Sequence, residues 1–344
     1  MLLTTTMVVN MEINLEHGAG GKLTHELFNS IFYKAFKNKI LEKAGDKAIL
    51  RFGSTRIAFT TDAFVMAPKK VSGCTIGKLS VTGTVNDLLT CGAIPMYLSA
   101  SFIIEEGYPI ANLSEIVRDM SETAKISGVS IVTGDTKVVE RGKADGVYVI
   151  TSGIGKVIKN SNVSGSNAEP GDVIVVSGPV GTHGTVVMLA RGEFGLYSSV
   201  SSDCCPLNDL VIPLIKKYGK KIKVIRDPTR GGLATTLNEI AKESKVGMVV
   251  EESKIPVLEE VKSACEVLGI DFLSMANEGI MVFIVDAKIK EKFLKDLRNN
   301  PKGRLASVIG KVVSDKEKKV VLSTSVGGER ILDMAKGLPL PRIC

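Results

Sequence analysis

Tryptophan and glutamine are both absent from this chain, and histidine occurs only as His17, His25 and His183. The six cysteines are Cys74, Cys91, Cys204, Cys205, Cys265 and Cys344, and none forms a C-x-x-C pair. With ligands so scattered, a zinc or iron–sulfur site is not expected. The adjacent Cys204 and Cys205 read as buried or surface thiols rather than a redox pair. No apolar run approaches the roughly 18 residues needed to cross a bilayer, so no membrane span is expected. The first ten residues carry three threonines and no basic n-region, a poor signal peptide, so a cytoplasmic location is expected. The net charge of +7 is spread over lysine runs such as 216–217 and 316–319. Without a basic stripe interleaved with aromatics, nucleic acid is not an expected partner. Abundant lysine without glutamine is a weak thermophilic bias.

The 344 residues suggest two domains around an ample core, since 44% are hydrophobic and 24% charged. Alternating strand and helix patterns predict an α+β (α/β) architecture. The polar, aperiodic stretch 159–167 is the candidate boundary. The expected divisions are residues 1–160, 170–330 and a flexible tail over 335–344. Residues 17–22 form a glycine-rich turn leading into a helix marked by Leu23, Leu27, Phe28, Ile31, Phe32, Ala35 and Phe36. Amides at such a turn suit phosphate, although glycine before a helix is also common punctuation, and no P-loop motif is present.

Asp62 closes the strand predicted over 56–61, Asp87 lies in a helical turn, and Asp135 follows the strand predicted over 129–132. Acids at such places can bind Mg²⁺ together with nucleotide phosphate, but singly each is also an ordinary cap or turn residue. Lys137 is either a phosphate or proton-transfer group or a solvated charge. In the second half, residues 178–184 and 226–232 are further glycine-rich loops before helices, residues 280–285 predict a strand, and 311–324 predict a hairpin-like region. The final residues 337–344 carry two prolines, which favour an extended arm with Cys344 at its tip. That thiol is either a carrier or simply an inert terminal residue.

Eight stretches together resemble the hydrogenase maturation HypE family, carbamoyl dehydratases of the aminoimidazole-ribotide-synthetase-like (PurM-like) superfamily. They are HGAGGKLTHELF (17–28), TTDAFVMAP (60–68), IGKLSVTGTVNDLLTCGAIP (76–95), TGDTKVV (133–139), GDVIVVSGPVGTHG (171–184), RDPTRGGLATTLNEIA (226–241), ANEG (276–279) and PRIC (341–344). The last is the mark of HypE; the others occur more loosely across the superfamily. The resemblance implies a PurM-like two-domain fold whose N-terminal domain binds ATP and forms a homodimer through a β-barrel. It implies that HypF carbamoylates the terminal cysteine, that ATP drives dehydration of the S-carboxamide to an S-cyanide, and that the HypC–HypD complex accepts the cyanide. The product would be the Fe(CN)₂CO centre of [NiFe]-hydrogenase.

By motif match, Asp62, Asp87 and Asp135 are the implied Mg²⁺ and ATP ligands. Asn86 belongs to the same nucleotide set, and Gly18, Gly20 and Gly21 cover the phosphates. Lys137 and Glu278 are implied in proton handling near Cys344, and Asn277 in orienting substrate or nucleotide. Asp227 and Arg230 match without an implied role. The chain departs from the family after Pro68, where residues 69–74 read Lys-Lys-Val-Ser-Gly-Cys in place of aromatics and a glycine pair. Sister enzymes such as selenide water dikinase, thiamine-monophosphate kinase and aminoimidazole-ribotide synthetase would not need the terminal thiol. A scaffold whose arm only docks a partner would not need it either.

Overall fold

The computed structural model describes residues 12–18, 22–41, 47–192, 195, 198–334 and 343–344. The apolar spacing near the N-terminus produces α1 (Lys22–Leu27), a π-helical turn over Phe28–Phe32 and α2 (Tyr33–Phe36). Next come β1 (Ala48–Phe52), β2 (Thr55–Phe64) and the short pair β3 (Lys70–Val71) and β4 (Cys74–Thr75), which occupies the divergent loop. α3 (Ile76–Thr90) is capped by the Thr75 side chain and buried along nearly its whole length. β5 (Ala93–Glu105), α4 (Ile110–Ser127) and β6 (Ser130–Val139) form a β-α-β unit with parallel strands, and β7 (Val147–Val157) completes the first sheet.

That sheet has the order β1-β2-β7-β5-β6. Along β7 buried and more exposed residues alternate, so one face packs on α3 while the other remains open. α3 and α4 pack closely because Gly77 has no side chain; a Cβ there would lie 2.2 Å from the Ile116 carbonyl oxygen. Exposed apolar residues on the strands include Phe52, Phe59, Tyr97, Ile131, Val132 and Ile154.

The second sheet contains β8 (Val173–Val176), β9 (Ile222–Arg226), β10 (Gly247–Glu251), β11 (Val282–Val285), β12 (Ser307–Val313), β13 (Val320–Ser323) and β14 (Glu329–Ile331). Its helices are α5 (Thr182–Ala190), α6 (Asn208–Tyr218), α7 (Gly232–Ser244), α8 (Glu259–Leu268) and α9 (Lys290–Arg298). The order is β14-β13-β10-β12-β8-β11-β9. Its central strands are apolar on both faces. Ile174, Val176, Val282 and Ile284 join one core with Leu237 and Ile240, while Val175, Phe283 and Val285 join another with Phe293 and Leu297. Helices therefore cover both faces, as continuous apolar strands require. Among the described residues, no helix is long and apolar enough to cross a membrane.

Two local expectations need correction. Residues 311–324 are not a hairpin, because β10 lies between β12 and β13, antiparallel to the first and parallel to the second. Asp135 does not follow a strand but sits inside β6. The Gly134-Asp135 pair imitates a turn; Gly134 is instead a close-approach residue, where a Cβ would lie 2.0 Å from the Ala100 carbonyl oxygen.

Candidate active site

Where the first sheet meets the β9–α7 loop, three carboxylates and two cations converge. Thr60 and Asp62 are two residues apart on β2 and share a face of the strand. The Thr60 hydroxyl donates to Asp87 Oδ2 at 2.8 Å, and Asp62 Oδ1 accepts from Arg230 at 3.1 Å and from the Ala63 amide at 2.9 Å. The Lys47 ammonium reaches Thr90 Oγ1 at 2.7 Å, Asp87 Oδ1 at 2.9 Å and Asp227 Oδ1 at 3.2 Å. Those three oxygens match the three donors of an ammonium.

Burial dominates the titration of this cluster. It pushes Asp87 up to about 7, against the attraction of Lys47 and with repulsion from Asp227 and Asp62 adding to the rise. Asp62 is also raised by burial, with Arg230 opposing. Hard carboxylate oxygens beside two cations suit a divalent ion carrying phosphate groups. The donor chemistry therefore fits Mg²⁺ bound with a nucleotide.

The last two residues enter the same cleft. The Val65 amide donates to the Cys344 main-chain oxygen at 3.0 Å, and Nε2 of His183 lies 3.0 Å from the Ile343 carbonyl oxygen. Cys344 is half-buried, packs against the main core and accepts a side-chain hydrogen bond from Arg230. Burial pushes its thiol up to about 11; Arg230 opposes the rise, while Glu278 and Asp62 add to it. Glu278 is buried and is raised well above the usual carboxylate range by burial first, then by Cys204, Asp227, Asp62 and Asp203. Burial therefore favours its neutral form, the form able to donate a proton.

The two asparagines are each held by three loop contacts. Asn86 donates to the Cys205 and Glu278 carbonyls at 3.2 Å each and accepts from the Leu207 amide at 3.0 Å. Asn277 accepts from the Gly181 amide at 2.7 Å and donates to Pro179 O at 3.0 Å and Asp203 Oδ2 at 2.9 Å. Both are buried. Their amides brace the loops that frame the cleft. Gly279 lets Asp203 come close, since a Cβ there would sit 1.7 Å from the Asp203 carbonyl oxygen.

Asp135 and Lys137 do not join the cluster within one chain. They lie on the exposed edge strand β6, three strands from β2, and pair with each other at 2.9 Å. Gly18 ends an exposed 3₁₀ turn over Leu15–Gly18, and Gly20 and Gly21 lie outside the described residues. Sequence reasoning missed Lys47 entirely, since one lysine before a strand carries no signal. It quoted His183 inside a motif and gave it no role.

The AIR synthase related protein N-terminal domain matches residues 44–157, and its C-terminal counterpart matches residues 169–323. A carbamoyl dehydratase HypE of Rhizobium leguminosarum bv. viciae is 44% identical, over 98% of this chain and 96% of that one. The crystal structure of a HypE–HypF complex contains a chain that is 47% identical, with a TM-score of 0.86 over 90% of this chain and 99% of that one. A HypE crystallised with ATP is 42% identical, with a TM-score of 0.81 over 97% of this chain and all of that one.

Proposed function

The chain belongs to the HypE family of carbamoyl dehydratases, and from that premise we propose that it dehydrates an S-carboxamide on Cys344 to an S-cyanide at the expense of ATP. The observation that carries this reading is the seating of Ile343 and Cys344 in the acidic cleft, beside Arg230, Glu278 and Asp62. An amide oxygen leaves poorly. Transfer of the γ-phosphoryl group to that oxygen turns it into phosphate; loss of the nitrogen protons and departure of phosphate then close the C≡N bond. This chemistry depends on positioning and charge neutralisation. Arg230 balances phosphate charge, Lys47 holds Asp87 and Asp227 in place, and Asp62 and Asp87 would hold Mg²⁺, which would screen phosphate charge when bound. Glu278 exchanges protons near the nitrogen.

Support for ATP as the nucleotide comes from the ATP complex of the 42% identical HypE, and support for HypF as carbamoyl donor from the HypE–HypF complex. The cyanide passes to the HypC–HypD complex and on to the Fe(CN)₂CO centre of [NiFe]-hydrogenase, in the cytoplasm. The free edge of β6 and the exposed apolar strand face favour pairing with a second copy. In that homodimer, Asp135 and Lys137 serve the cleft of the other copy.

The test is the intact mass of the protein carbamoylated on Cys344 and given Mg²⁺ and ATP. Loss of one water, absent in Cys344→Ala and absent without ATP, is expected. ATP consumption with the carbamoylated thiol unchanged would move the chemistry to a sister family.

A further inference from the structure

We infer that His183 is the latch of the inward tail, a positioning residue that grips the Ile343 carbonyl and so sets where the Cys344 sulfur stands. The inference rests on the reading that Cys344 works in this cleft. His183 lies in the first turn of α5 and is fully buried. Its two ring nitrogens are both engaged, Nε2 with Ile343 O at 3.0 Å and Nδ1 with Ser202 Oγ at 2.8 Å. Ser202 Oγ also accepts from the Cys204 amide at 3.1 Å.

The partners decide where every hydrogen lies. A carbonyl can only accept, so Nε2 carries the ring hydrogen and donates it to Ile343. Nδ1 is then the acceptor, and the Ser202 hydroxyl must donate to it. Burial favours this neutral ring, although Asp203 and the Ile343 carbonyl pull the other way. The Ser202 contact therefore fixes the single tautomer that can hold the tail.

The grip acts on main chain, so it reads register rather than side chain. Val65 holds Cys344 O and His183 holds Ile343 O, one contact from the residue just after β2 and one from α5. A slip by one residue would break both. The segment after Ser202 also braces the loop of the buried acid: Asp203 Oδ2 accepts from Asn277 Nδ2 at 2.9 Å and from the Gly279 amide at 3.0 Å. On its other side, the Ser202 amide donates to Ser72 O at 2.8 Å, in the loop where this chain departs from its family. One segment thus touches the tail latch, the Glu278 loop and the divergent loop.

The experiment follows alkylation of Cys344 by iodoacetamide, mapped by peptide mass, with the half-buried Cys205 as internal control. It compares the full-length protein with His183→Leu, His183→Gln and Ser202→Ala. His183→Leu leaves the docked carbonyl without a donor, so Cys344 alkylation is expected to rise roughly tenfold while Cys205 keeps its rate. His183→Gln, which regains an N–H donor, restores most of the protection. Ser202→Ala frees the tautomer and gives a smaller rise, and it carries the test if His183→Leu does not fold. Wild-type alkylation of Cys344 in folded His183→Leu and in Ser202→Ala would overturn the latch, as would an equal rise at Cys205. Because alkylation needs neither ATP nor a carbamoyl group, failure of wild-type protein to lose water would refute the proposed function alone.

Discussion

The Lys47 ammonium stands 2.9 Å from Asp87 Oδ1, with the two side chains only 6% and 14% exposed. Its second carboxylate contact, at 3.2 Å to Asp227, joins the helix of the first sheet to the β9–α7 loop. Burial lifts the Asp87 pKa to about 7 even against the attraction of Lys47. An acid raised on folding is protonated below that value, so the carboxylate needed for Mg²⁺ and nucleotide forms as pH rises through 7. Dehydration should follow the same rising limb. In Lys47→Met the limb moves up by about one pH unit or more. Folding stability falls by about 3 kcal/mol above the shifted limb, where the Asp87 charge is left unpaired. A single-turnover pH profile and denaturant melts check both; an unmoved limb rejects the pairing.

Glu278 is buried and its carboxyl is raised well above the ordinary range, so Glu278→Gln imitates the neutral form that burial favours. The melting midpoint should stay within about 0.5 kcal/mol of wild type in stability, while loss of water from carbamoylated Cys344 slows by about 100-fold or more. Conversion at the wild-type rate would reduce Glu278 to a packing residue.

The inward tail should also respond to alkaline pH. The Cys344 thiol is raised from 9.0 to about 11 by docking in the cleft. A raised acid favours docking while protonated, so docking is intact below pH 9 and weakens about tenfold per unit between 9 and 11. The S-carboxamide has no such proton, and its docking should be flat over the same range. Protease protection of the tail against pH, before and after carbamoylation, distinguishes the two.

Val132 and Val138 are both solvent-exposed on the edge strand β6. If the proposed pairing through this face holds, Val132→Lys should give a monomer in sedimentation velocity and lower dehydration with it, since Asp135 and Lys137 would then serve no second cleft. An unchanged sedimentation coefficient would show that this face does not pair.

The acids Asp62 and Asp87 were legible because local rules coincide there: a β-branched strand leads to one and a capped apolar helix carries the other. Asp135 looked equivalent because Gly134 reads as a turn, whereas that glycine is required by the passage of β6 beside Ala100. The loop-bracing contacts of the asparagines were not legible for a different reason. A buried amide is fully used only when distant loops arrive, and no local pattern records that Gly181, Asp203 and Pro179 meet at Asn277. Lys47 and His183 share this blindness. Lys47 meets Asp87 and Asp227, and His183 meets Ile343, across 40 or more residues of chain. The order of β10, β12 and β13 escaped because adjacent strands in sequence normally pair.

The strand order has a consequence for synthesis. β10 cannot be enclosed until β12 and β13 have been made, because it pairs with both. β8 likewise waits for β11 and β12. A nascent chain released in sequence order therefore keeps the second sheet open until its last strands emerge, a long interval in which apolar strands need shielding. Ile343 and Cys344 follow those strands, so the cleft is assembled before the thiol arrives. The thiol is thus the last part of the site to be made, and its docking completes contacts to Val65 and His183.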